Sequence, residues 1–221
     1  MIARDLISKV ISPLQPSDTG VDGLNSMEAF RISHLPLVNQ GDFLGLISDA
    51  DISDRNMTDM PVGAYSFTPF NPFVYEFQPL YEVIELVSRL HLSAVPVLNE
   101  EHKCLGVITV QQLIQSVSNM TAVKLPGGII VLELNANDYS LAQIARIVED
   151  NDAKILSSYI TSSVDSVKME VTLKINRVDV TSLIQSFLRY DYIVKASYQS
   201  SDRNKDILRD NYDQFMMYLN V

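Results

Sequence analysis

The polar side chains of this chain that could do chemistry fall into two short, related sets. Ser48 and Asp51 stand three residues apart, as do Thr109 and Gln112, and each set follows a glycine and two aliphatic residues, Gly45-Leu46-Ile47 and Gly106-Val107-Ile108. A hydroxyl at the start of a helix lies beside backbone N–H groups that have no partner within the helix, a setting that suits a phosphate. A carboxylate or amide one turn further on can accept hydrogen bonds. Beyond these sets the sequence offers little to a catalyst. No Ser/His/Asp or Cys/His constellation and no glycine-rich phosphate loop is present, and His91 and His102 have no partner at metal-ligand spacing. Cys104, the single cysteine, excludes an internal disulfide; its apolar run, Cys104-Leu105-Gly106-Val107-Ile108, predicts a buried structural thiol. No residue set proposes a reaction, so the expectation is a protein that is not an enzyme and requires no cofactor.

The elements that must position these groups are repeated. Leu35-Pro36-Leu37-Val38 leads through a polar turn into the Gly45 set, and sixty positions on Val95-Pro96-Val97-Leu98 leads into the Gly106 set, with one extra residue in its turn. Apolar run, polar turn, apolar run predicts a β-hairpin in each copy. Apolar residues upstream, from Val21 to Ser33 and at Leu80, Val83, Ile84, Val87 and Leu90, recur at helical spacing, and Ser17-Asp18-Thr19 offers caps for the first helix. Each copy therefore reads strand, helix, strand, strand, helix. Such a unit is too small to bury its sheet faces well, and stacking two of them solves that. The linker from Asn56 to Phe73 holds three prolines and four aromatics, which predicts a packed segment.

The motif of apolar-Pro-apolar-Val, a turn, and Gly-apolar-apolar-Ser/Thr-x-x-Asp resembles a CBS domain, and the tandem resembles a CBS-domain pair, with repeats at 1–58 and, including the linker, 59–122. The resemblance implies two clefts at a pseudo-twofold interface and an adenosyl-type ligand: AMP, ADP, ATP or S-adenosylmethionine. It places Ser48 toward phosphate, Asp51 on the ribose, His34 toward phosphate and Thr19 on the base, with Pro36 and Pro96 as apolar walls. Thr109 matches Ser48 in the second copy. There Gln112 stands in place of the carboxylate and Ala94 in place of the basic residue, so one cleft is expected to be competent and the other degraded.

After Leu125-Pro126-Gly127-Gly128 the pattern changes. Strands are predicted at 129–135, 154–161, 166–175 and 192–198, with helices around Leu141–Val148 and Leu183–Leu188. The order βαββαβ is a ferredoxin-like arrangement, making the whole chain α/β (α+β). Behind a CBS pair, residues 127–200 resemble an ACT domain, and the CBS–CBS–ACT order is similar to the acetoin-utilisation regulatory proteins. Amino-acid-binding relatives carry a Pro-Gly pair in the first strand–helix loop; this chain has Asn137-Asp138-Tyr139-Ser140, so a subunit-pairing surface is the better expectation. Residues 201–221 predict a terminal helix with Ile207, Leu208, Tyr212, Phe215, Met216 and Leu219 on one face.

Composition narrows the classes of partner. With 17 basic and 27 acidic residues the net charge is −10, which disfavours nucleic acid and anionic membrane. No signal-peptide core or membrane-length apolar stretch is seen, and the expected location is cytoplasmic. The expectation is a homodimeric regulatory protein whose ligand changes the surface shown to a protein partner. The rival is an interaction module with empty clefts that acts through assembly.

Overall fold

The helices starting at Gly20, Asp49, Val110 and Leu141 carry side-chain hydrogen bonds back onto the backbone at their starts, whereas Pro79 and Val180, which precede the helices starting at Leu80 and Thr181, supply none. Thr19 caps α1 (Gly20–Phe30): its hydroxyl oxygen accepts from the Asp22 N–H at 3.2 Å, while the Asp22 carboxylate accepts from the Thr19 N–H at 2.9 Å. The helix ends at Arg31, which takes the left-handed conformation (φ 53°), as His91 does (φ 52°) after α3 (Leu80–Leu90). The computed structural model describes residues 1–53, 58–64, 71–162 and 167–199, in two units, Met1–Ser116 and Val117–Val221.

In the first unit, β1 (His34–Asn39) and β2 (Asp42–Ser48) form one antiparallel hairpin, followed by α2 (Asp49–Ser53); β4 (Ala94–Leu98) and β5 (Cys104–Thr109) form the other, followed by α4 (Val110–Met120), within which the first unit ends. Both hairpins shift register at the equivalent place, after Leu37 and after Val97. The extra residue of each bulge, Leu44 and Leu105, is 41% exposed in both cases, so the bulge turns an apolar side chain outward and restores the inward alternation beyond it. The leading strands differ. The two-residue β3 (Val74–Tyr75) runs parallel to β4, whereas the first copy has one parallel bridge, Leu14 to Leu37.

The two cores are built reciprocally. Ala3 and Leu6, at the chain start, are buried in the core of the second repeat with Val83, Val87, Val95 and Ile108. Val62, after the first repeat, is buried in the first-repeat core with Leu14, Leu35, Leu37, Ile47 and Ile52. Matching bridges, Ile2 to Pro79 and Thr19 to Pro61, hold these segments down. The approach is close: a Cβ on Gly106 (φ +147°) would lie 2.4 Å from the Ile7 side chain, and one on Gly63 would lie 2.7 Å from Pro16. Each repeat thus lends its preceding segment to the other.

The second unit contains β6 (Ile129–Asn135), α5 (Leu141–Glu149), β7 (Ile155–Ser162), β8 (Lys168–Ile175), α6 (Thr181–Arg189) and β9 (Ile193–Tyr198). The strand order β7-β8-β6-β9 with every pairing antiparallel is the ferredoxin-like arrangement. Alternate residues Val171, Leu173 and Ile175 of β8 and Ile130, Leu132 and Leu134 of β6 are buried with Ile144, Val148, Leu183 and Phe187 of the helices. In the strand predicted at 166–175 the alternation of buried residues begins only at Val171: Val167 is 79% exposed and Met169 is half-buried. Leu188, in the predicted helix, is exposed, and Leu183 and Phe187 fill the buried face of α6. The expected helix at 201–221 lies outside the described residues. Among the described residues no helix is long and apolar enough to cross a membrane.

Candidate functional site

Antiparallel pairing places His34 opposite Ser48, at the mouth of the first hairpin, and Ala94 opposite Thr109 in the second. The chain then turns into α2 or α4, and the residue three positions on folds back. The Ser48 N–H and hydroxyl donate to Asp51 Oδ2 at 2.9 and 2.6 Å, and the Asp51 N–H donates to Ser48 Oγ at 3.1 Å. In the second repeat, the Thr109 N–H and hydroxyl donate to Gln112 Oε1 at 2.9 and 3.2 Å, and the Gln112 N–H donates to Thr109 Oγ1 at 3.3 Å. The frame is the same, and the hydroxyl contact is shorter where the acceptor is charged. The sets differ in openness too: Ser48 is half-buried and Asp51 exposed, while Thr109 is 7% exposed.

These bonds give the predicted ligand residues a local role as reciprocal helix caps. Thr19 has the same role on α1. One turn further, Gly23 packs so closely that a Cβ there would lie 3.2 Å from the Ile52 side chain, which sets the first turns of α1 beside α2. Pro36 and Pro96, in the middles of β1 and β4, are buried, and pair with Leu46 and Val107 across their hairpins.

His34 also reaches across the repeats. Its Nδ1 lies 3.0 Å from Ser93 Oγ and 3.3 Å from Ser33 Oγ, and the Ser93 N–H donates to it at 3.3 Å. Burial pushes the His34 imidazolium below its ordinary value, while the charges of Asp49 and Asp51 pull the other way. Ser33 and Ser93 occupy equivalent positions and meet directly, the Ser33 N–H donating to Ser93 Oγ at 2.8 Å. Their carbonyls accept the first amide of the following helices, Asp49 and Val110, each at 3.1 Å. This serine pair is missing from the sequence-based reading. Its signal was the match of Ser33-His34-Leu35-Pro36 with Ser93-Ala94-Val95-Pro96.

At the hairpin turns equivalent residues meet again: Asp42 and Lys103 pair at 2.7 Å, and the Cys104 N–H donates to the Gly41 carbonyl at 2.9 Å. Phe73, at the end of the linker, packs edge-on against Phe43, Tyr75 and His102, while linker residues Tyr65, Phe67 and Phe70 lie outside the described residues. Cys104 is half-buried where a buried thiol was expected, because it sits at the strand start beside the turn; burial raises its thiol above the ordinary value. Among the described residues no three His, Cys, Asp or Glu side chains are grouped to hold a metal ion.

In the second unit a cleft of about 300 Å³ opens beside the first strand–helix loop, lined by Glu133, Asn135, Asp138, Gln143, Lys168 and Tyr190 among others. The loop is tied down internally: Asn135 Nδ2 donates to Asp138 at 2.9 Å, and Ser140 caps α5 by accepting from the Gln143 N–H at 3.3 Å.

The chain is similar to several known proteins. The inosine-5'-monophosphate dehydrogenase of Methanocaldococcus jannaschii is 26% identical over 117 residues, a match covering 51% of this chain and 23% of that enzyme. A CBS domain-containing protein of Dictyostelium discoideum is 27% identical over 131 residues, covering 52% of this chain and 89% of that one. Among solved structures, a CBS domain pair/ACT domain protein from Thermotoga maritima has 18% identity and a TM-score of 0.46, covering 54% of this chain and 98% of that one. A putative acetoin utilization protein from Vibrio cholerae has 21% identity and a TM-score of 0.48, covering 56% and 95%. A model of the CBS domain matches residues 3–57 and 62–119, just over half of the sequence, and the chain belongs to the CBS domain family.

Proposed function

We propose that the chain is a regulatory protein whose first-repeat cleft binds an adenosyl ligand of the AMP, ADP, ATP or S-adenosylmethionine kind. The observation that carries this reading is the gathering of His34, Ser48 and Asp51 at one end of the first hairpin. Ser48 and the neighbouring amides serve a phosphate, and the exposed Asp51 carboxylate accepts from vicinal ribose hydroxyls. Thr19 serves the base, and Pro36 lines the wall behind it. Pro96, Thr109 and Gln112 form the weaker second cleft, where a neutral amide replaces the carboxylate. The ferredoxin-like unit acts as an ACT-type domain that pairs two subunits, and ligand binding changes the surface presented to a protein partner. In this reading the protein works in the cytoplasm, without nucleic acid or membrane.

Calorimetry of the purified chain with AMP, ADP, ATP and S-adenosylmethionine tests it. At least one should bind below millimolar, and Asp51→Ala should weaken that binding about tenfold or more, as loss of a charged hydrogen-bond partner does. No binding below millimolar, or binding indifferent to Asp51→Ala, removes the proposal.

One observation favours a second reading. The residues of each polar set already serve each other as reciprocal helix caps, a structural role that an interaction module also needs. A thermal midpoint insensitive to the same nucleotides would select that reading, since a ligand of the folded state must raise it.

A further inference from the structure

We propose that Ser93, in the second repeat, is a positioning residue for His34 in the first: it holds the imidazole as the Nε2–H tautomer, so that the ring offers a neutral N–H donor to a ligand's acceptor oxygen. The ligand half of this inference rests on the adenosyl reading of the first cleft; the tautomer half does not.

The argument follows the donors around Nδ1. A backbone N–H can only donate, and that of Ser93 points at Nδ1 at 3.3 Å. With Nδ1 thereby an acceptor, the Ser93 hydroxyl, whose oxygen accepts the Ser33 N–H at 2.8 Å, donates its own proton to Nδ1 at 3.0 Å. The Ser33 hydroxyl is a third neighbour at 3.3 Å and can donate as well. A proton on Nδ1 would therefore face an obligatory donor, and the neutral ring carries its proton on Nε2. Ser93 cannot easily turn away, because its carbonyl accepts the Val110 N–H at the start of α4. Among the described residues nothing is hydrogen-bonded to Nε2. Burial of the ring works in the same direction by disfavouring the imidazolium, against the opposing carboxylates of Asp49 and Asp51. The arrangement runs one way only, since the position equivalent to His34 is Ala94. The first cleft thus depends on a residue of the second repeat, and a neutral donor meets a phosphoryl oxygen without the cost of desolvating a cation.

The test is nitrogen-15 NMR of the His34 ring in the full chain at neutral pH, with AMP calorimetry on the same samples. In the unsubstituted protein Nε2–H should be the major tautomer. Ser93→Ala should lower its ratio to Nδ1–H by roughly two- to tenfold, the weight of one hydrogen bond, and Ser93→Thr should restore it. Ser33→Ala, which leaves both Ser93 donors in place, should keep Nε2–H as the major form, and an amide spectrum of Ser93→Ala that overlays that of the unsubstituted protein away from the site shows that its fold is kept. A major Nδ1–H form in the unsubstituted protein, or an unchanged ratio in Ser93→Ala, overturns the inference. AMP affinity should fall and recover with the tautomer ratio across the same variants; affinity unchanged while the ratio moves overturns the ligand half. If the unsubstituted protein does not bind AMP, the adenosyl reading is in question, while the NMR result still decides what Ser93 does.

Discussion

The two repeats share their bulges, the caps of the helices that follow each hairpin and their left-handed helix ends, yet they diverge at the mouth of each hairpin. In the first, His34, Ser48 and Asp51 meet with a carboxylate exposed; in the second, Ala94, Thr109 and Gln112 meet with the hydroxyl buried. The shared features are those folding needs, because a cap and a bulge stabilise a repeat whatever it binds. The divergent features are charge and access. The scaffold is therefore symmetric and its chemistry is not.

The largest effects should come from breaking the symmetric part. Leu6→Ala should cost about 2–5 kcal/mol in denaturant unfolding, the usual loss for a buried leucine, with hydrogen-exchange protection lost in α3 before α1. Val62→Ala should do the converse, at a cost on the order of 1–2 kcal/mol. Loss of protection spread evenly over both repeats in both variants would refute the reciprocal cores.

Next comes the asymmetric part. Gln112→Asp should strengthen AMP binding at the second cleft severalfold, and Asp51→Asn should weaken the first about tenfold. If Gln112→Asp leaves the calorimetric stoichiometry and affinity unchanged, the buried Thr109 side, and not the missing charge, is what closes the second cleft. Ser48→Ala and Thr109→Ala should each cost about 1 kcal/mol as lost caps, with no large difference between them. A much larger loss at one position would show that its hydroxyl does more than cap.

The histidine pH effect belongs to the first repeat. Folding lowers the His34 value, so the unfolded chain binds the proton first. The associated stability is present above the ordinary histidine value of 6.5 and is lost as pH falls through and below it. His34→Gln should flatten that acid limb, whereas Ala94 has no counterpart effect. The smallest change is expected at the hairpin turns, where Lys103→Ala removes a partly exposed pair with Asp42 and should cost no more than about 0.5 kcal/mol, less in high salt.

Much of this was legible because the decisive interactions are local. A hydroxyl and an acceptor three residues apart must meet at a helix start, and Thr19–Asp22, Ser48–Asp51 and Thr109–Gln112 all do. Alternation in Val171, Leu173 and Ile175 identified a strand with one buried face. What could not be read was any contact between positions about sixty apart. Ser93 carried no expectation, and Ala3 and Leu6 fell within the span assigned to the first repeat although they are buried in the core of the second.

The sequence by itself determined that there are two related units followed by a βαββαβ unit, and which residues stand at the start of the first helix and of the helix after each hairpin. Periodicity and short-range hydrogen bonding depend only on neighbours along the chain, so composition and spacing suffice for them. Only the tertiary structure decided that each repeat completes the other's core and that His34 is held from across the pseudo-twofold by Ser93. Those contacts arise from the need to bury two incomplete sheet faces at once, and the chain reveals their partners only when it is folded.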